Sequence, residues 1–156
     1  MQQAGTINWG IIGCGAVTEV KSGPAFSKVP HSALQAVMRR NAGAAADYAL
    51  RHGVPAWYSN AAQLIADSRV NAIYIATPPD SHLTYTKMAL DAGKPVYVEK
   101  PMVLNRAEAE QMADLAAANN DRITVAHYRR WWPLFVQAKQ LIDEGAIGRV
   151  KQAHLV

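Results

Sequence analysis

Trp9-Gly10-Ile11-Ile12-Gly13-Cys14-Gly15-Ala16-Val17-Thr18 is the stretch whose reading decides the fold. A short apolar run enters a glycine-rich turn and leaves it as a helix. In an α/β protein such a turn aims backbone N–H groups at a phosphate, and the start of the helix adds roughly half a positive charge there. Gly13 makes the tight turn and Gly15 lets backbone approach a pyrophosphate. Thr18 departs from the pattern, because a third glycine-like residue there normally allows close packing of helix on strand. Taken alone, the stretch fits a dinucleotide cradle or a glycine turn with no ligand.

The surrounding chain alternates strand and helix with short links. Strands are expected over residues 7–12, 34–38, 56–58, 72–76, 95–98 and 122–126. Helices are expected over 16–26, 44–52, 61–66, 81–92 and 106–119, with a last one opening at Pro133, a good first helical residue, and stopped by Gly145. Gly53 suits the end of the second helix. Asn60, Asp80 and Asn105 are the expected caps, and Glu108 three residues after Asn105 resembles a capping box. Ala72-Ile73-Tyr74-Ile75-Ala76 is an unbroken apolar run, as in a strand covered on both faces of a parallel sheet. This alternation predicts a doubly wound parallel sheet, a Rossmann fold. Right-handed crossovers then put every strand's C-terminal end on one edge. The segments 13–18, 77–82, 99–101 and 127–133 should therefore converge on one crevice.

Composition excludes several classes. The 156 residues are half hydrophobic and 18% charged, enough for a buried core in one soluble domain. No apolar run approaches the ~18 residues of a membrane span. The first residues carry neither a basic nor an apolar leader segment, and the single cysteine, Cys14, has no internal partner, which together predict a cytoplasmic protein. The net charge is +4 and the pI about 9.3. The basic residues are scattered, however, with tight pairs only at Arg39-Arg40 and Arg129-Arg130, so no nucleic-acid partner is expected. The five histidines show no metal-ligand spacing, and no nucleophile elbow is present.

After the second strand an NAD site normally places an acid for the ribose 2′-hydroxyl. Here no acid occurs between Glu19 and Asp47, and Arg39-Arg40 stands in its place. A guanidinium can chelate a 2′-phosphate that a carboxylate would repel. The pair favours NADP over NAD, with NAD still possible; the alternative is two solvated surface arginines.

Four segments then carry a resemblance: Gly13-Cys14-Gly15-Ala16, Ile75-Ala76-Thr77-Pro78-Pro79-Asp80-Ser81-His82, Gly93-Lys94-Pro95-Val96 and Glu99-Lys100-Pro101. In this order and spacing the sequence resembles the Gfo/Idh/MocA oxidoreductases, across essentially its whole length. Glu-Lys-Pro after the fifth strand, with Thr-Pro-Pro-Asp-x-His after the fourth, is far more specific than the glycine motif. Tyr128-Arg129-Arg130 before Pro133 also looks like the family's segment after its sixth strand. The resemblance implies hydride transfer between a nicotinamide and a hydroxyl or keto carbon of a sugar, inositol or related polyol. It implies cofactor contacts from Gly13, Gly15, Ala16, Val17, Arg39, Arg40, Ala76, Thr77, Pro78, His82, Glu99, Lys100 and Arg129. Lys100 is the implied catalytic residue, able to bind substrate and carry a proton; read alone, it is a solvated loop lysine. The Lys100–Pro101 bond can be cis. No metal is implied.

Family members carry a second, mostly antiparallel α+β domain. The expectation is thus a dinucleotide-binding domain over 1–147 and, over 148–156, the first strand of an absent second domain. Such a fragment would bind cofactor without turnover and could form homo-oligomers through the stub strand. The rival reading is a non-catalytic nucleotide-sensing or interaction domain. Trp131 and Trp132, beside Arg129 and Arg130, are expected to pack under the last helix or line the substrate edge rather than stack nucleobases.

Overall fold

The apolar runs become six parallel strands: β1 Ile7–Ile12, β2 Ser32–Met38, β3 Ala56–Tyr58, β4 Ala72–Ile75, β5 Val96–Val98 and β6 Ile123–Val125. The computed structural model describes residues 5–154. The strands form one sheet in the order β3-β2-β1-β4-β5-β6, and each neighbouring pair runs parallel. The order reverses at β1, which pairs β2 on one side and β4 on the other.

Alternation along the strands sorts side chains between two faces. Ile12, Ala36, Met38, Ile73 and Ile75 join one buried cluster with Leu64, Ile65, Ala89 and Leu90. Those last four come from α4, Ala61–Ala66, and α5, His82–Asp91. Ile11, Val37 and Tyr74 join the opposite cluster with Tyr48 and Ala49 from α3, Ala42–His52. All four residues of β4 are buried, as its apolar run requires. The helix α6, Arg106–Ala118, adds Leu115 to the first cluster.

Caps follow the sequence in most places. The side chains of Asn60 and Asn105 accept from the N–H groups of Ala62 and Glu108, and Asn41, not among the expected caps, does the same for Ala44 in α3, which starts two residues before the expected 44. Glu108 closes the reciprocal contact one residue earlier than a standard capping box, accepting from Leu104 N. Gly53 ends α3 in the left-handed region, φ 64°, and Lys94 Nζ donates to Asp67 O at 2.8 Å.

Two expectations change. The single helix over 16–26 is two, α1 Ala16–Val20 and α2 Ser22–Phe26, broken at Lys21. Pro24 has no N–H to give to a preceding turn, which disfavours one continuous helix. Asp80 does not cap α5: Pro79–Ser81 is a 3-10 turn, and Ser81 Oγ turns back to Thr77 Oγ1 and Pro78 O.

The chain divides into two compact units, the first ending at Ala126 and the second beginning at His127. Within the second unit Tyr128–Trp131 is a 3-10 turn and α7 spans Pro133–Asp143, with proline at its start. The Trp132 ring lies 6.1 Å from that of Tyr128 and 6.2 Å from that of Phe135, so it packs at the start of this helix. The Arg129 guanidinium carbon sits 5.5 Å from the centre of the same indole. Residues 148–154 form no strand; Leu155 and Val156 lie outside the described residues. No helix among the described residues is long and apolar enough to cross a membrane.

Candidate dinucleotide-binding site

The crevice is built where β1, β2, β4 and β5 end. Gly13 N and Cys14 N both donate to Met38 O, at 2.9 and 3.2 Å, tying the glycine turn to the end of β2. Gly13 is left-handed, φ +97°. A Cβ there would lie 2.8 Å from Thr77 N and 2.9 Å from Ala76 C, both backbone atoms that cannot rotate aside. Gly13 is therefore needed for packing against the loop after β4. Gly15 differs: a Cβ on it would meet only Gly13 O, 4.0 Å away. The space above Gly15 is open, and its own N–H is used within the turn by Gly13 O.

Ala16 and Val17 begin α1 and are exposed. Their N–H groups precede the first possible intrahelical acceptor, so they are available to an incoming oxygen. An open glycine beside two exposed amide donors fits a pyrophosphate. Cys14 is buried, and burial pushes its thiol up to about 11 against the opposing pull of Arg39. The thiol stays protonated and inert, while Arg39's charge is felt at the glycine turn. Arg39 and Arg40 are both exposed, and Arg39 N is fixed to Tyr58 O.

The loops after β4 and β5 are joined from inside. His82 is fully buried. Its Nε2 lies 2.8 Å from Thr77 O, and its Nδ1 lies 3.1 Å from both Pro101 O and Met102 O. Since its ring is taken up by backbone, His82 reaches the crevice only through the loops it links. Ala76 N donates to Ile12 O and Glu99 N to Ile75 O, each at 2.9 Å, so both loops are also anchored to neighbouring strands. The Lys100–Pro101 bond is cis. Lys100 is exposed and Glu99 half-buried.

One partner was missed at the sequence level. Tyr74 donates from its hydroxyl to Glu99 Oε1 at 2.6 Å. The available signal was a hydroxyl-bearing side chain inside the buried run Ala72–Ile75. Of the expected site residues, the first unit gathers Gly13, Gly15, Ala16, Val17, Arg39, Arg40, Ala76, Thr77, Pro78, Glu99 and Lys100 at the strand ends, with His82 beneath them. Arg129 belongs to the second unit. Among the described residues no group of three or more His, Cys, Asp or Glu is placed to hold a metal.

A reversing parallel sheet with a glycine turn at its switch point defines a dinucleotide-binding domain of the doubly wound class. The chain belongs to the Gfo/Idh/MocA oxidoreductases: the family model, an oxidoreductase family with an NAD-binding Rossmann fold, matches residues 7–127. An oxidoreductase of Formosa agariphila is 54% identical over 149 residues, covering 96% of this chain and 46% of that protein. The chain thus spans about half the length of that relative. Scyllo-inositol dehydrogenase from Lactobacillus casei, solved with NAD(H) and scyllo-inositol, superposes with a TM-score of 0.84 at 28% identity, over 92% of this chain and 42% of that one. A variant of a 3-ketoreductase from Actinomadura kijaniata, in complex with TDP-benzene and NADP, gives 0.80 at 27% identity over 94% and 46%.

Proposed function

We propose that this chain is the cofactor-holding part of a dehydrogenase that moves hydride between a nicotinamide and a hydroxyl or keto carbon of a sugar, inositol or related polyol. The observation that carries this reading is the shared edge: an open Gly15 with two exposed amide donors at one strand end, and an anchored Glu99 leading into an exposed Lys100 at another. The nature of the solved neighbours, one with NAD(H) and an inositol and one with NADP, supports it.

The bound nicotinamide supplies the hydride acceptor or donor. The chain's own residues bind and orient. Ala16 and Val17 N–H groups hold the pyrophosphate, with Gly15 admitting its approach. Ala76, Thr77 and Pro78 form the wall toward the nicotinamide, held in place by His82 behind them. Lys100 Nζ polarises the substrate oxygen and takes or returns its proton. Alone, the chain binds cofactor without appreciable turnover.

Arg39 and Arg40 favour NADP. A guanidinium pairs a 2′-phosphate through two parallel hydrogen bonds, and no acid stands at the end of β2 to receive a ribose hydroxyl. Fluorescence titration with NADPH and NADH tests both statements. NADPH should bind more tightly, and Arg39→Asp should reverse the order. Equal or tighter NADH binding by the unaltered chain sinks the NADP preference. Binding of neither sinks the dinucleotide reading itself.

A further inference from the structure

Tyr74 is held more firmly than a space-filling residue needs. It is fully buried in the middle of β4, between β1 and β5 in the sheet order. Its register partner is Tyr97, and the two rings stack with centroids 5.5 Å apart. Phe26 meets the Tyr74 ring edge-on at 5.1 Å. A phenylalanine would make the same ring contacts. What only tyrosine provides is the hydroxyl, which donates to Glu99 Oε1 at 2.6 Å and also meets the Ser22 side chain. That separation lies within the short range typical of a hydroxyl donating to a carboxylate. Burial, followed by the bond to Glu99, raises the phenol's pKa, so it keeps its proton and remains a donor.

The other end of the same carboxylate faces the reacting loop. Glu99 Oε2 accepts from Lys100 N at 3.1 Å, while Glu99 N donates to Ile75 O at 2.9 Å. Glu99 is therefore bound to β4 twice, by its backbone to Ile75 and by its side chain to Tyr74. A free glutamate side chain samples several rotamers, and ordering it costs entropy on each approach of a ligand. Here the interior of the sheet has already made that selection.

We propose that Tyr74 is a positioning residue for Lys100: its hydroxyl fixes the Glu99 carboxylate in the orientation that also receives the Lys100 N–H, and so sets where the lysine leaves the backbone. The proposal rests on the reading of Glu99 and Lys100 as the pair at the nicotinamide. Such a residue touches neither cofactor nor substrate.

Tyr74→Phe removes one oxygen and preserves the ring stack. In the absence of cofactor, amide exchange at Lys100 should accelerate about tenfold or more, with exchange at Ile11 in β1 unchanged. Equal exchange at Lys100 in the two proteins overturns the proposal. NADPH should then bind the variant about three- to tenfold more weakly, a modest loss in binding free energy. An unchanged dissociation constant also overturns it, because a lysine set by Tyr74 would make no difference to the bound nicotinamide. If Tyr74→Phe fails to fold, Glu99→Ala tests the pairing from the other partner, read at the tyrosine rather than at Lys100. The Tyr74 Cζ resonance in carbon-13 spectra should move on loss of its acceptor, and a stationary resonance overturns the pairing. Should the unaltered chain bind neither nucleotide, the dehydrogenase reading falls, whereas Lys100 exchange still decides whether Tyr74 holds Glu99.

Discussion

The Tyr48 hydroxyl donates to Thr18 O at 2.8 Å, joining α3 to α1 at a fully buried point. Gly23 in α2 lies against the same pair. A Cβ there would be 2.1 Å from the Tyr48 hydroxyl and 2.3 Å from Thr18 O. Thr18 itself bonds back to Gly15 O at 2.8 Å through its Oγ1. The close approach missing at Thr18 is thus made one turn later, at Gly23.

Gly23→Ala should therefore destabilise the domain by about 2 kcal/mol or more, the cost of forcing a methyl into a filled site. Tyr48→Phe should cost about 1 kcal/mol, the loss of one buried hydrogen bond. Urea unfolding midpoints measure both, and a Gly23→Ala midpoint equal to the parent would contradict the contact.

The two glycines of the turn should separate by experiment. Gly13→Ala should lower both stability and nucleotide affinity, because its Cβ meets the backbone of Ala76 and Thr77. Gly15→Ala should leave the urea midpoint near the parent value and still weaken NADPH binding by about tenfold, since its methyl would fill space wanted by the pyrophosphate. Loss of stability without loss of binding in Gly15→Ala would count against the cradle.

His82→Phe keeps the bulk of the side chain and removes the ring nitrogens that lie against Thr77 O, Pro101 O and Met102 O. Losing a part-buried hydrogen bond costs about 1 kcal/mol, and the two crevice loops lose their common tie. Denaturant unfolding should register the first effect and weaker NADPH binding the second. A variant that matches the parent in both would show that the tie is dispensable.

Acid should find two weak points. Arg69 and then Tyr58 donate to Asp67, whose side chain is almost fully buried, and its carboxyl sits at about 2 instead of 3.8. Glu19 is held at about 2 instead of 4.5 by Arg51 and then His52. Both native-state values lie below the unfolded ones, so each group stabilises the fold fully above its unfolded value and loses that contribution as pH falls toward 2. The Glu19 cluster is more exposed and should contribute no more than about 0.2–1 kcal/mol. Asp67→Asn should flatten the fall in stability between pH 4 and pH 2, measured by urea midpoints, more than Glu19→Gln does. The reverse ranking would show that burial does not set the balance.

The sequence made legible what is local. Gly13, the run 72–75, the Asn60 and Asn105 caps and the segments after β4 and β5 announce themselves within a few residues, because turn chemistry and side-chain alternation act at that range. The break at Lys21 was hidden because it depends on Pro24 and on packing at Gly23, which only the folded neighbours reveal. The inward role of His82 and the bond from Tyr74 to Glu99 were hidden for the same reason. Glu99 lies 25 residues after Tyr74 and Pro101 lies 19 after His82, and the register between β4 and β5 brings them together.

The place of β1 in the sheet order bears on how the chain survives its own synthesis. β2 can pair with β1 as soon as residues 32–38 have been made, but the other edge of β1 has no partner until residues 72–75 follow. At ordinary translation rates that edge stands open for on the order of several seconds. During that time it is an apolar template able to recruit a neighbouring nascent chain. The strand at the centre of the finished sheet thus passes through an exposed stage while the protein is being born, and β4 ends it by pairing with that edge.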